Sequence, residues 1–126
     1  MSENGISSVV ETINSHIQKE LWFDFEIIRY ERNELVVGGG KSLSYPHELE
    51  IHFKGVVFVS APVEWRTDTS RAVFLILEGD EASKVNTKFQ VEQGCYIFKF
   101  VPEDYPEDFS CLIGASRLEV KFREQT

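Results

Sequence analysis

Gly38-Gly39-Gly40-Lys41-Ser42 ends in Gly-Lys-Ser, the ending of a phosphate-binding loop. That chemistry requires a glycine five residues ahead of the one preceding the lysine, so that main-chain N–H groups wrap the phosphates. Leu35 stands there. Ser44-Tyr45-Pro46-His47 then reads as a turn into a strand, not as a helix whose N-terminus would face the anion. The run is therefore expected to be a glycine-rich hairpin loop that ends a short strand over Glu34 to Val37. His16, His47 and His52 fall in no compact ligand spacing, and Cys95 and Cys111 lie far from one another and from any histidine in sequence. On a strand, His52 shares a face with Glu48 and Glu50, and Lys54 closes the row, which predicts a solvated charge ladder. No G-x-S-x-G occurs, and the two cysteines read as small buried strand residues without an activating base. Asp24 and Glu26 share one face of a strand, but a glycosidase pair needs a deep cleft that a small domain does not wall in. No catalytic, cofactor-binding or metal-ligating residue is expected.

One local pattern suits binding. Pro102-Glu103-Asp104-Tyr105 is repeated as Pro106-Glu107-Asp108-Phe109. Each proline removes a ladder donor and fixes φ, which predicts an exposed loop or irregular edge. Four carboxylates and two rings within eight residues suit a basic partner: Glu103, Asp104, Glu107 and Asp108 would steer the encounter, and Tyr105 or Phe109 would anchor it. The plain alternative is a solvated loop that favours solubility.

The charge of the whole chain points the same way. Its 126 residues carry 21 acidic against 13 basic side chains, net -8. That balance excludes a dedicated nucleic-acid binder or a binder of anionic membranes. Residues 78–110 hold eight of the acids and three lysines, so the excess is concentrated there. With 42% hydrophobic residues there is enough apolar mass for one core, and a single domain over 1–126 is expected. The longest apolar run is Ala72 to Leu77, far short of the ~20 residues of a membrane span, and the first residues lack a signal-peptide pattern. A cytoplasmic location follows as the expectation.

The elements that must hold these residues are legible from periodicity. Ile6, Val9, Val10, Ile13 and Ile17 fall on one helical stripe, with Glu11, Asn14, Ser15 and Gln18 assigned to the wet face. After Leu21 the two-residue period dominates: 22–30, 48–54, 84–92 and 118–122 alternate, and 72–77 and 95–101 are apolar strands. Residues 108–113 make a shorter candidate, and Gly55 predicts a bulge or bend. Trp65 sits outside any periodic strand and fits either a lid on the core or an exposed contact. The fold class is α+β, an N-terminal amphipathic helix packed on a mostly antiparallel, curved sheet of about seven or eight strands.

Three segments together resemble the immunity proteins that neutralise bacterial polymorphic contact-dependent toxins, in particular the immunity protein 50 family. They are Leu21-Trp22-Phe23-Asp24-Phe25-Glu26-Ile27-Ile28, Leu49-Glu50-Ile51-His52-Phe53-Lys54-Gly55-Val56 and Ala115-Ser116-Arg117-Leu118-Glu119-Val120-Lys121-Phe122. The resemblance implies a non-enzymatic protein that occludes a cognate toxin, and a basic toxin domain would match the acidic composition. The alternative is a small-molecule-binding or catalytic α+β domain with a pocket between helix and sheet. A homodimer that hides an open sheet face is a further possibility.

Overall fold

The computed structural model describes residues 3–41, 47–89, 95–103, 105, 106, 109 and 111–123. Among these the chain forms α1 (Glu3–Gln18), β1 (Phe23–Glu31), β2 (Glu34–Gly40), β3 (Leu49–Lys54), β4 (Phe58–Ser60), β5 (Glu64–Thr67), β6 (Phe74–Ile76), α2 (Gly79–Phe89), β7 (Tyr96–Phe100), β8 (Cys111–Ala115) and β9 (Arg117–Phe122). The strands make two antiparallel sheets, one ordered β5-β1-β2-β3-β9 and the other β4-β8-β7-β6. The α+β class and the N-terminal helix are as read from the sequence. The strands divide between two sheets, and nine are present among the described residues.

Alternation along each strand sends one side chain in two inward, and the inward sets of the two sheets meet. Phe53 of β3 contacts the rings of Phe74, Phe98 and Phe100 at 6.0, 5.4 and 6.2 Å between centroids. Phe25 of β1 reaches Phe100 at 5.1 Å. Each of these fully buried phenylalanines contributes about 1.5–3 kcal/mol through burial. Helix α1 turns Ile6, Val10, Ile13 and Ile17 into the same core and rests on β6 of one sheet and β9 of the other.

Four sequence expectations are corrected. Residues 84–89 belong to helix α2, not to a strand over 84–92 (90–92 lie outside the described residues). Ala82 and Val85, three residues apart, are its half-buried positions, Asp80 and Glu81 stand at the positive end of its dipole, and Lys88 stands at the negative end. Gly79, at φ 60°, makes the turn that starts it.

The glycine run is strand, not loop: Gly38, Gly39 and Gly40 pair with Glu26, Phe25 and Asp24 of β1. A Cβ on Gly39 would stand 2.5 Å from the Phe23 ring and 2.8 Å from the Phe25 ring. On the other face, a Cβ on Gly38 would stand 2.6 Å from Ile28 and 2.7 Å from His47. Glycine is therefore demanded by neighbours on both faces of the strand.

Asn14 is buried instead of facing water, because its amide is consumed by β6. His52, assigned to the solvated ladder, is also buried. Trp65, left open by the sequence, lies on β5 with its ring in the core, 5.7 Å from Phe25 and 4.9 Å from Phe100.

Candidate functional site

The 102–109 segment is tied down at both ends. Pro102 forms an isolated antiparallel bridge with Thr67, and the Glu103 N–H donates to the Arg66 carbonyl at 2.8 Å, so the segment begins against β5. At its far end the Phe109 N–H donates to the Pro106 carbonyl at 2.9 Å. Phe109 packs on the core, and Tyr105 stacks on Phe109 with centroids 4.5 Å apart and planes at 29°. Tyr105 is 39% exposed, and Glu103 is exposed as well. Of the six residues singled out for binding, Glu103, Tyr105 and Phe109 are therefore placed, and the two aromatics are brought together. Asp104, Glu107 and Asp108 lie outside the described residues.

Each histidine faces a carboxylate. On the outer face of the five-stranded sheet, His47 Nε2 lies 2.7 Å from Glu26 Oε2, with the imidazole over Gly38. His52 Nδ1 lies 3.1 Å from Glu34 Oε2 and Nε2 lies 3.0 Å from Glu50 Oε1. The hydrogen bond from His52 holds the Glu34 carboxyl below its ordinary value, aided by the charges of His52, Arg29 and Lys54 and opposed by desolvation. The third contact joins helix to sheet: His16 Nε2 is 3.4 Å from Glu48 Oε1, with Glu20 alongside. Lys41 bonds Glu20 at 3.0 Å, and this hydrogen bond and the Glu20 charge raise the ammonium's pKa.

The other sequence candidates separate. Asp24 is raised by burial, and Arg66, opposite it on β5, partly offsets this. Glu26 is taken up by His47, so Asp24 and Glu26 do not act as a pair. All three glycines stand opposite β1, and Gly38 and Gly39 also opposite β3, an extended ladder instead of a loop wrapped around an anion. Cys111 lies opposite Phe100 in the β7–β8 ladder, and Cys95 just precedes Tyr96 at the other end. The two thiols are therefore about 16 Å apart along the strands. Burial pushes the Cys111 thiol up to about 12, so it is no nucleophile near neutral pH.

Two clefts remain. One of about 300 Å³ is lined by Ile27, Tyr30, Leu35, Val57, Phe58 and Val59, and one of about 430 Å³ by Ser7, Ile76, Leu77, Glu78, Gly79 and Tyr96. Sequence reasoning missed the His16–Glu20–Glu48 cluster. His16 and Glu20 are near one another in sequence, whereas Glu48, just ahead of β3, is brought to them by tertiary packing alone. No helix among the described residues is long and apolar enough to cross a membrane. Comparisons with family models, with characterised proteins and with solved structures return no match for this chain.

Proposed function

We propose that this chain is a non-enzymatic protein-binding module that receives a basic partner on its 102–109 segment, and that it acts as an immunity protein occluding a cognate toxin. The carrying observation is the stacked Tyr105–Phe109 pair, with one ring seated on the core and the other offered to solvent. Binding costs the ordering of side chains, and Tyr105, stacked on a ring that itself packs on the core, has already lost part of that freedom. An exposed, pre-ordered tyrosine within an acidic setting matches the aromatic anchor and electrostatic steering of specific interfaces.

The test is co-expression with the product of the adjacent open reading frame, followed by calorimetry on the purified pair. The expected result is a stoichiometric complex that Tyr105→Ala weakens about tenfold or more without shifting the melting temperature of the free protein. Charge reversal at Glu103 should slow association and reduce its salt dependence. Absence of a complex, or a Tyr105→Ala variant that binds as tightly as the parent, overturns the reading.

The small-molecule alternative draws on the cleft of about 430 Å³ between α1 and the sheet, where Ser7 and Tyr96 offer hydroxyls beside Ile76 and Leu77. A thermal-shift screen whose hits lose their effect in Tyr96→Phe would favour it.

A further inference from the structure

We propose that His16, Glu20 and Glu48 form a binding site for a divalent transition-metal ion of the zinc class, and that the Lys41 ammonium is the internal cation such an ion displaces. The inference is independent of the protein-binding reading.

One ligand atom from each of the three side chains falls within 4.8 Å of the other two. His16 stands in the last turn of α1 and Glu20 two residues past its end, where the Glu20 N–H bonds the Ile17 carbonyl at 3.0 Å. Glu48 is fixed by strand pairing on both sides: its N–H donates to the Gly39 carbonyl and its carbonyl accepts the Arg123 N–H, both at 2.9 Å. The three side chains thus come from the end of α1, the residues just after it and the residue just before β3, elements that the core already holds in place.

The orientation of each donor is also set. The His16 ring lies between Phe23, edge-on at 5.8 Å, and Phe122 at 5.2 Å, with Nε2 turned toward Glu48. Glu48 divides its oxygens: Oε2 accepts the Lys41 N–H at 3.0 Å, which leaves Oε1 facing the imidazole. The main chain of Lys41 is held in turn, because its carbonyl accepts the Trp22 indole N–H at 2.7 Å. A ligand carboxylate anchored through its second oxygen is the usual outer support of a metal site.

The one close separation in the cluster has the length a metal site would give it. The His16–Glu48 separation of 3.4 Å is long for a nitrogen–oxygen hydrogen bond, whose usual length is about 2.9–3.0 Å. It is close to the edge of a tetrahedron built on metal–ligand bonds of about 2.0–2.1 Å, an edge of roughly 3.3 Å. An imidazole with two carboxylates selects zinc-like ions over magnesium, which prefers an octahedron of oxygens. All three side chains are only partly buried, so water can complete the coordination. The Lys41 Nζ, 3.0 Å from Glu20 Oε1, supplies positive charge where the ion would. On metal binding the ammonium returns to solvent, and His16 coordinates as the neutral ring, releasing a proton from any molecule in which it carried two.

The experiment is calorimetric titration of the full chain with zinc chloride after chelator treatment. One zinc per chain is expected. His16→Gln and Glu20→Gln should each weaken binding at least ~10-fold, while Lys41→Met should tighten it. Glu20→Gln is isosteric and sits outside α1 at a partly exposed position, so it tests the site even if His16→Gln unfolds. Absence of saturable heat, or affinity unchanged in Glu20→Gln, overturns the site. Unchanged affinity in Lys41→Met overturns the role given to that ammonium. Displacement of zinc by equimolar magnesium overturns the choice of ion.

Discussion

Asn14 and Phe74 exchange hydrogen bonds in both directions: the Asn14 Nδ2 donates to the Phe74 carbonyl at 2.8 Å, and the Phe74 N–H donates to Asn14 Oδ1 at 3.1 Å. The same Oδ1 accepts the Val73 N–H at 3.0 Å. β6 is the last strand of its sheet among the described residues, and none of them pairs as a strand with its outer main chain. One helix amide thereby mimics a neighbouring strand and closes that edge. Asn14→Ala should cost about 2–4 kcal/mol in urea denaturation, because the Phe74 and Val73 groups are left buried and unpaired. A loss under about 0.5 kcal/mol, the range of an ordinary surface substitution, would show that water replaces the amide.

Two glycines separate packing from backbone strain. Gly39→Ala places a methyl against Phe23 and Phe25 and should destabilise by about 1–3 kcal/mol. Gly79→Ala meets no atom within 4 Å, yet its φ of 60° should still cost about 1 kcal/mol. Chemical denaturation of both variants checks the order, and a larger loss at Gly79 would reverse this account.

Acid should act on Glu34 and Asp24 with opposite sign. Glu34 titrates below its ordinary 4.5 in the folded chain, so its contribution is complete above that value and is lost as pH falls through the folded pKa. His52→Asn removes the largest cause and should flatten this acid limb. Asp24 titrates above its ordinary 3.8, so its contribution is present below that value and is lost as pH rises through the folded pKa. Asp24→Asn should therefore raise stability at neutral pH. Carboxyl chemical shifts followed by NMR through the acid range read both directions, and a Glu34 value at or above 4.5 would contradict the first.

The cysteines should differ in reactivity. Native labelling with iodoacetamide near neutral pH should spare Cys111, with its thiol near 12, and modify the half-buried Cys95 first. Mild oxidation should form no bond within the chain, since the two thiols stand at opposite ends of the β7–β8 ladder. Peptide mass mapping reads both results, and labelling of Cys111 at the rate of Cys95 would refute the burial argument.

Much of the fold was legible because burial imposes a period. The stripe from Ile6 to Ile17 and the alternation of Leu49, Ile51 and Phe53 each named the buried face correctly. The errors occur where neighbours outweigh local pattern. Val85, Thr87 and Phe89 alternate as a strand would, but charged helix ends and the Gly79 turn settle the segment as helix. The glycine run looked like a loop because nothing local reveals two phenylalanines above one glycine and a histidine beneath the next. Trp65 and Asn14 gained their places from partners about 40 and 60 residues away along the chain. At the 102–109 segment, proline and aromatic spacing suggested an irregular stretch, whereas the stacking of Tyr105 on Phe109 is made only in the folded chain.

The Thr67–Pro102 bridge and the Glu103–Arg66 hydrogen bond join the outermost strand of the larger sheet to the chain leaving β7 of the smaller one. They act as a hasp across the open seam of the sandwich. Peeling β5 away must first undo the segment that carries Tyr105, so anything that grips that segment also locks the seam. Occupancy there would be felt as slower amide exchange along β5, at main-chain sites the ligand never touches.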